Sequence, residues 1–346
     1  MRLRDAQATL RLVMTPLWDC TWKDEHVVTV PYTAGLHRLT TSTYVYLQPD
    51  GSWGRSNCGL ITSRGDGVLV DTQFTLPLTR KLLDTLSKAL PGMTVSTVIN
   101  THANGDHCWG NELFPDAVIV GSEATARCMT DEMSPHEIMA LIAATPSETP
   151  LGGYLRRYFG SFDFAGITVK PPTRTFVDEL VLMVGADTVI ELVMVGPAHT
   201  EGDVIVHVPE EGVFFVGDIL FIGDHPIMWS GPINNWIAAC TRILKSGAQI
   251  IVPGHGPVTD PSGVVRFRAY LEYLSEQAAL RYEAGMPYWH AALNIPMRSY
   301  ADWGHRERLV ITVASIYREL GHNEPLDVRT VMNRTAQAYY ELDTLR

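Results

Sequence analysis

The segment Thr101-His-Ala-Asn-Gly-Asp-His-Cys-Trp-Gly-Asn111 directly follows a short apolar run, 95–100. It places His102, Asp106 and His107 within six residues, beside Gly105. Imidazole and carboxylate at that density are what a Zn²⁺ or iron site requires. Taken alone, the segment also suits a capping loop with surface histidines. Three further segments repeat the arrangement, each just after a short apolar run: His199 in Gly196-Pro-Ala-His-Thr-Glu-Gly-Asp203, Asp218 in Phe214-Phe-Val-Gly-Asp218 and His255 in Val252-Pro-Gly-His-Gly-Pro257. Strand ends that converge on one sheet edge are where sites form, and the flanking glycines allow close backbone approach. The chain must therefore bring several strand ends to one place.

The pattern over 35–257 alternates short β runs, turns and helices. A strand is expected at 37–47, rich in Thr, Tyr and Val, and a hairpin at 60–72 around Arg64-Gly-Asp-Gly67. Apolar spacing predicts a helix over 76–90, stopped by Pro91-Gly92, with strands at 95–100 and 117–120. In the second half, strands are expected at 167–169, 175–182, 189–195, 204–208, 213–216 and 249–252, with a helix over 233–246. Two halves of βαβ character point to an α/β fold, a four-layer αββα sandwich of two mixed sheets with outer helices.

Residues 122–164 read as a helical insertion rich in Met, Leu and aromatics, among them Tyr154. It either packs as ordinary core or forms an apolar lid over a site. After Pro261 helices are expected over 264–284, 306–320 and 327–342, the last with Asp327 as N-cap. The organisation expected is an N-terminal extension, 1–34, a sandwich domain, 35–262, and a helical C-terminal extension, 263–346, which offers a face for a homodimer.

Composition narrows the partners. Lys plus Arg is 27 and Asp plus Glu is 38, a net charge of −11, which argues against nucleic acid or an anionic membrane as a partner. The five cysteines, 20, 58, 108, 128 and 240, form no CxxC pair, so reduced thiols and a cytoplasmic setting are expected. No signal peptide or membrane-spanning run is read.

Taken together, the clusters resemble the metallo-β-lactamase fold superfamily, which carries HxHxDH, then a His, a bridging Asp and a final His, each at a strand end. The resemblance covers roughly residues 35–260, and Leu69-Val-Asp71 is also typical of it. It implies one or two divalent transition-metal ions, zinc first, with iron or manganese as alternatives. Carried over residue by residue, one site holds His102, His199 and the bridge Asp218; the other holds Asp106, His107, His255 and Asp218. The chain departs at Asn104, which stands where the family has its second His. An amide oxygen is a poorer zinc ligand than imidazole, so the first site is expected to be the weaker.

The function expected from this resemblance is metal-dependent hydrolysis of an ester, thioester or lactone. Asp106 and Asp218 would act as catalytic residues, orienting an activated water. The substrate is expected to be small and partly apolar. The alternatives are a non-haem iron oxygenase or other oxidoreductase on the same scaffold, and a metal-poor, non-catalytic member. Substrate contacts are sought at His225, Trp109, Trp229 and Tyr154; His225 equally reads as a loop histidine, and the aromatics as core. Cys108 reads as a small buried hydrophobe rather than a pocket thiol.

Overall fold

The computed structural model describes residues 30–185, 187–322 and 327–344. The expected N-terminal extension and Cys20 lie almost wholly outside the described residues. One sheet runs, in spatial and chain order, β1 (Gly35–Arg38), β2 (Thr43–Leu47), β3 (Cys58–Ser63), β4 (Asp66–Val70), β5 (Thr94–Ile99), β6 (Val118–Ser122) and β7 (Arg174–Phe176). It is antiparallel up to β4 and parallel beyond it. The second contains β8 (Glu179–Val184), β9 (Thr188–Met194), β10 (Val204–Val208), β11 (Val213–Phe215) and β12 (Ile250–Val252), in spatial order β12-β11-β10-β9-β8. The helices are α1 (Leu76–Ala89), α2 (Gly105–Cys108), α3 (Glu123–Asp131), α4 (Pro135–Ala144), α5 (Pro150–Phe159), α6 (Ile233–Lys245), α7 (Pro261–Glu283), α8 (Tyr288–Asn294), α9 (Leu309–Glu319) and α10 (Val328–Thr344).

Period-two alternation builds the layers. On β3 and β4, Cys58, Leu60 and Leu69 join Leu82 and Leu86 of α1, while Ile61, Val68 and Val70 face the other sheet. On β10 and β11, Val204, Val206, Val208, Val213 and Phe215 face inward; Ile205 and Phe214 pack outward with Trp236 and Ile243 of α6. Burying each such side chain is worth about 1.5–3 kcal/mol, so the alternation fixes the order helix, sheet, sheet, helix. Both sheets contain a parallel crossover through a helix, β4-α1-β5 and β11-α6-β12. The tail helices belong to the same hydrophobic cluster as α6 and the insertion, through Phe267, Leu271, Leu309, Ile316 and Met332. Asp327 caps α10, accepting from Thr330 N at 2.9 Å.

Four expectations change. The strand expected at 37–47 breaks into the β1–β2 hairpin, because Leu39 N turns back to Thr43 O at 2.9 Å. No strand forms at 167–169: Thr168 N bonds the Glu112 carboxylate at 2.8 Å, and Pro171-Pro172 removes two donors just beyond. The run 175–182 divides between sheets, β7 ending at Phe176 and β8 starting at Glu179. Helix α8 occupies a stretch for which the sequence suggested no element.

At Gly59 the Phe215 ring of the other sheet packs directly on the backbone, so an added Cβ would overlap it. Gly59→Ala should destabilise the protein by about 1–3 kcal/mol, read by urea denaturation, because a packed core rejects an extra methyl group. Phe215→Leu in the same chain should recover part of that loss in a double-mutant cycle.

Candidate metal centre

The candidate ligands come from the ends of four strands. The loop after β5 carries His102, Asn104, Asp106 and His107, with α2 holding the last two; His199 follows β9, Asp218 follows β11 and His255 follows β12. Asp71 ends β4 on the same edge. Their donor atoms fall into two groups, His102–His199–Asp218 and Asp106–His107–His255, the atoms of each lying within 4.8 Å of one another.

Asp218 stands between the groups. Its Oδ2 lies 3.3 Å from His199 Nε2 and 3.9 Å from His102 Nε2. Its Oδ1 lies 3.2 Å from His107 Nε2 and 3.5 Å from His255 Nε2, and Asp106 Oδ2 is 3.4 Å from the same His255 nitrogen. One carboxylate oxygen thus faces each group.

The residues fit a metal ion by their unused atoms. His102 Nε2, His107 Nε2 and Asp218 Oδ1 are buried without a hydrogen-bond partner, an expensive arrangement for groups meant only to pack. The opposite ring nitrogens are occupied. His107 Nδ1 donates to Asp71 Oδ2 at 2.9 Å, and His199 Nδ1 donates to the Ile227 carbonyl at 2.6 Å. Thr101 Oγ1 donates to Asp71 at 2.8 Å, which leaves it to accept from His102 Nδ1 at 3.0 Å. The His102 and His107 contacts turn an unpaired Nε2 inward, as a metal-ligating imidazole requires. Asp71, at φ +64°, also accepts from Thr101 N at 2.7 Å. Asp203 fixes the His199 loop, accepting from Thr200 N at 2.9 Å and Thr200 Oγ1 at 2.6 Å.

Asn104 joins the first group. Its Nδ2 donates to Glu132 Oε2 at 3.2 Å, leaving Oδ1 directed at His199 Nε2, 2.8 Å away. The amide oxygen therefore lies beside the imidazole that also faces Asp218 Oδ2.

The electrostatics match the donor set. Burial opposes ionisation of Asp218, but the facing His255, His107 and His199 outweigh it and hold the carboxyl well below its usual range. Burial is likewise outweighed at Asp106, which His107 and His255 hold down to about 2. Burial disfavours a charged His255, yet Asp218 and Asp106 push it up to about 9. With no ion bound, the two carboxylates are balanced by protonated imidazoles, and a metal cation that takes their place would release those protons.

Above it opens a cavity of about 900 Å³. His199, Asp218 and His255 form part of its wall, and Trp53, Phe74, Leu141, Leu155, Phe159 and Met332 supply apolar surface. Of the substrate contacts sought from sequence, Trp109 and Trp229 line this cavity; His225 and Tyr154 do not. His225 is wholly buried, its Nδ1 2.8 Å from the Tyr270 hydroxyl, and burial, with Arg306 adding to it, pushes it down to about 3. Tyr154 sits one layer back, accepting from Trp53 Nε1 at 2.9 Å. Cys108 is buried, with its thiol against the Ala103 carbonyl at 3.1 Å. Sequence reasoning assigned no role to Asp71, Thr101 or Glu132. Asp71 had one visible signal, an acid ending an apolar run as Asp218 does.

A two-sheet sandwich with a His/Asp cluster at converging strand ends defines a class of metal-binding proteins. Residues 51–255 match the pattern of the metallo-beta-lactamase superfamily, and the chain belongs to it. This superfamily binds divalent metal ions, and most of its members are hydrolytic enzymes. The chain is 26% identical over 190 residues to the 2,4-dinitroanisole O-demethylase subunit alpha of Nocardioides sp. (strain JS1661), a match covering 54% of this chain and 48% of that one. It is 24% identical over 165 residues to the acyl-coenzyme A thioesterase MBLAC2 of Gallus gallus, covering 45% of this chain and 55% of that protein. The chain thus spans about half the length of these two relatives. Among solved structures, a metallo-beta-lactamase from Pontibacter korlensis superposes with a TM-score of 0.53 at 18% identity, over 69% of this chain and 99% of that one.

Asp71→Asn should lower metal affinity about 10–100-fold, as loss of an outer partner of a ligating histidine does, read by competition with a chelator. An unchanged affinity would place Asp71 outside the support of His107.

Proposed function

We propose that the protein is a metal-dependent hydrolase of esters, thioesters or lactones with an apolar body. One observation carries the reading: Asp218 turns one oxygen to each of two candidate ligand groups in the wall of a largely apolar cavity of about 900 Å³. His102, His199, Asp218 and Asn104 would hold one ion, and Asp106, His107, His255 and Asp218 a second. Such an ion activates water near neutral pH and polarises a carbonyl. Asp106 lines the cavity and is held ionised, so it accepts a hydrogen bond from the attacking water and orients it. Asp218 keeps both groups in register. The apolar walls, Trp109 and Trp229 among them, take the acyl or aromatic body and exclude bulk water from the carbonyl. The thioesterase named among the relatives supports acyl chemistry.

The proposed partner is a small molecule with an apolar body. A reducing, cytoplasmic setting agrees with the four free cysteines among the described residues, Cys58, Cys108, Cys128 and Cys240. Among those residues no helix is long and apolar enough to cross a membrane.

A panel of 4-nitrophenyl decanoate, a decanoyl thioester and a medium-chain lactone tests the reading. At least one should turn over with zinc-loaded protein, and His107→Ala and His255→Ala should each bring turnover to background and lower bound metal. Full zinc content with full turnover in either variant would refute the ligand assignment.

Zinc titration tests the asymmetry at Asn104. Wild type should show one tight ion and a second bound at least ~10-fold more weakly, because an amide oxygen replaces an imidazole. Asn104→His should bring zinc toward two equivalents of similar affinity. Two equally tight ions in the wild type would show that the substitution has no effect on metal binding.

A further inference from the structure

Arg308 ends the short turn Arg306–Arg308 that leads into α9, outside the stretch shared with the superfamily. It is 1% exposed, yet it lines the same cavity as His199, Asp218 and His255. Its Nε and Nη1 are buried without a hydrogen-bond partner, and among the described residues no carboxylate lies within ion-pair distance of its guanidinium. Its guanidinium lies over the face of Trp53, 5.0 Å from the ring centre. A buried cation without an ion pair is costly, and the guanidinium fork is shaped to grip an oxyanion.

Two acids, Glu307 and Asp224, feel the Arg308 charge without pairing with it. Glu307 accepts from the Tyr154 hydroxyl at 3.2 Å and faces His305 Nδ1 at 3.5 Å. Asp224 is buried. Tyr154 in turn holds Trp53. The sequence Glu307, Tyr154, Trp53 therefore fixes the plate on which Arg308 rests, and the cation is set before any ligand arrives. Asp131, Glu132 and Glu137 also line the cavity, but as exposed residues on the insertion side.

We infer that Arg308 is an anion subsite, and that the ligand of this cavity carries an oxyanion, a carboxylate or a phosphate, on its apolar body. This deepens the hydrolase reading by naming the substrate class, and its test is independent of turnover.

The test is calorimetric titration of zinc-loaded protein with decanoate, decyl phosphate and the neutral decanamide. Arg308→Gln should weaken decanoate, decyl phosphate or both by about tenfold or more, the loss of a charge-assisted contact, while the decanamide affinity changes by less than about twofold. The arm that loses more identifies the oxyanion. Arg308→Lys keeps the charge but loses the fork, so it should lose less than the Gln variant and only toward the oxyanions. Zinc content and melting temperature are read on both variants, and the Lys variant carries the test if the Gln variant does not fold. Equal losses for decanoate, decyl phosphate and decanamide, or no loss for any, would overturn the subsite and leave Arg308 a packing residue. Arg308-dependent oxyanion binding in a protein inert toward every ester, thioester and lactone would sink the hydrolase reading and leave the subsite standing. Turnover with Arg308-independent binding would do the reverse.

Discussion

The carboxylate of Asp218, buried among four imidazoles, is the constraint on which the rest depends. To place it there, the two sheets must close at one edge. The backbone shows how: Val204 N bonds Thr101 O at 2.7 Å across the sandwich, and Asn57 N, just before β3, bonds Gly254 O, just after β12, at 2.8 Å. Two glycines make the approach feasible. An added Cβ at Gly217 would meet Thr101, and one at Gly254 would meet Asp218 itself. The cluster is therefore a point where fold and chemistry are the same problem. Like charges and unpaired lone pairs held in a dry interior oppose folding, and a cation that satisfies them favours the folded state by mass action.

The strand-end ligands were legible because each follows a short apolar run and sits beside glycine. That local signature survives without knowledge of the fold. The sandwich was legible for a related reason, since alternation on β3, β4, β10 and β11 writes both faces into the sequence. Boundaries were less so. The runs at 37–47 and 175–182 are chemically continuous, and only pairing in three dimensions decides where they break. The insertion and tail helices could be placed, but not what they would enclose. Asp71 was quoted without a role because its work is done on the far nitrogen of His107, a relation that exists only after folding. His225, readable from sequence as a cleft contact or a loop histidine, is a buried histidine against Tyr270. Arg308 gave no signal at all: one arginine among many, distinguished only by the absence of a partner.

The cavity is assembled from distant parts of the chain. Trp53 precedes β3, Leu141 belongs to the insertion helix α4, Arg308 opens α9 and Met332 lies on α10. The candidate ligands follow strand ends locked by backbone contacts, whereas Leu141 and Met332 are side chains on helices packed by apolar surface. A change at one wall position alters volume or charge without disturbing the ligand geometry.

The tail helices share one hydrophobic cluster with α6 and the insertion, and that continuity has an evolutionary consequence. A lineage can keep the strand-end machinery fixed and still explore new substrates through helical appendages that tolerate repacking. Selection for chemistry and selection for recognition then act on different residues, and drift in the second need not erode the first.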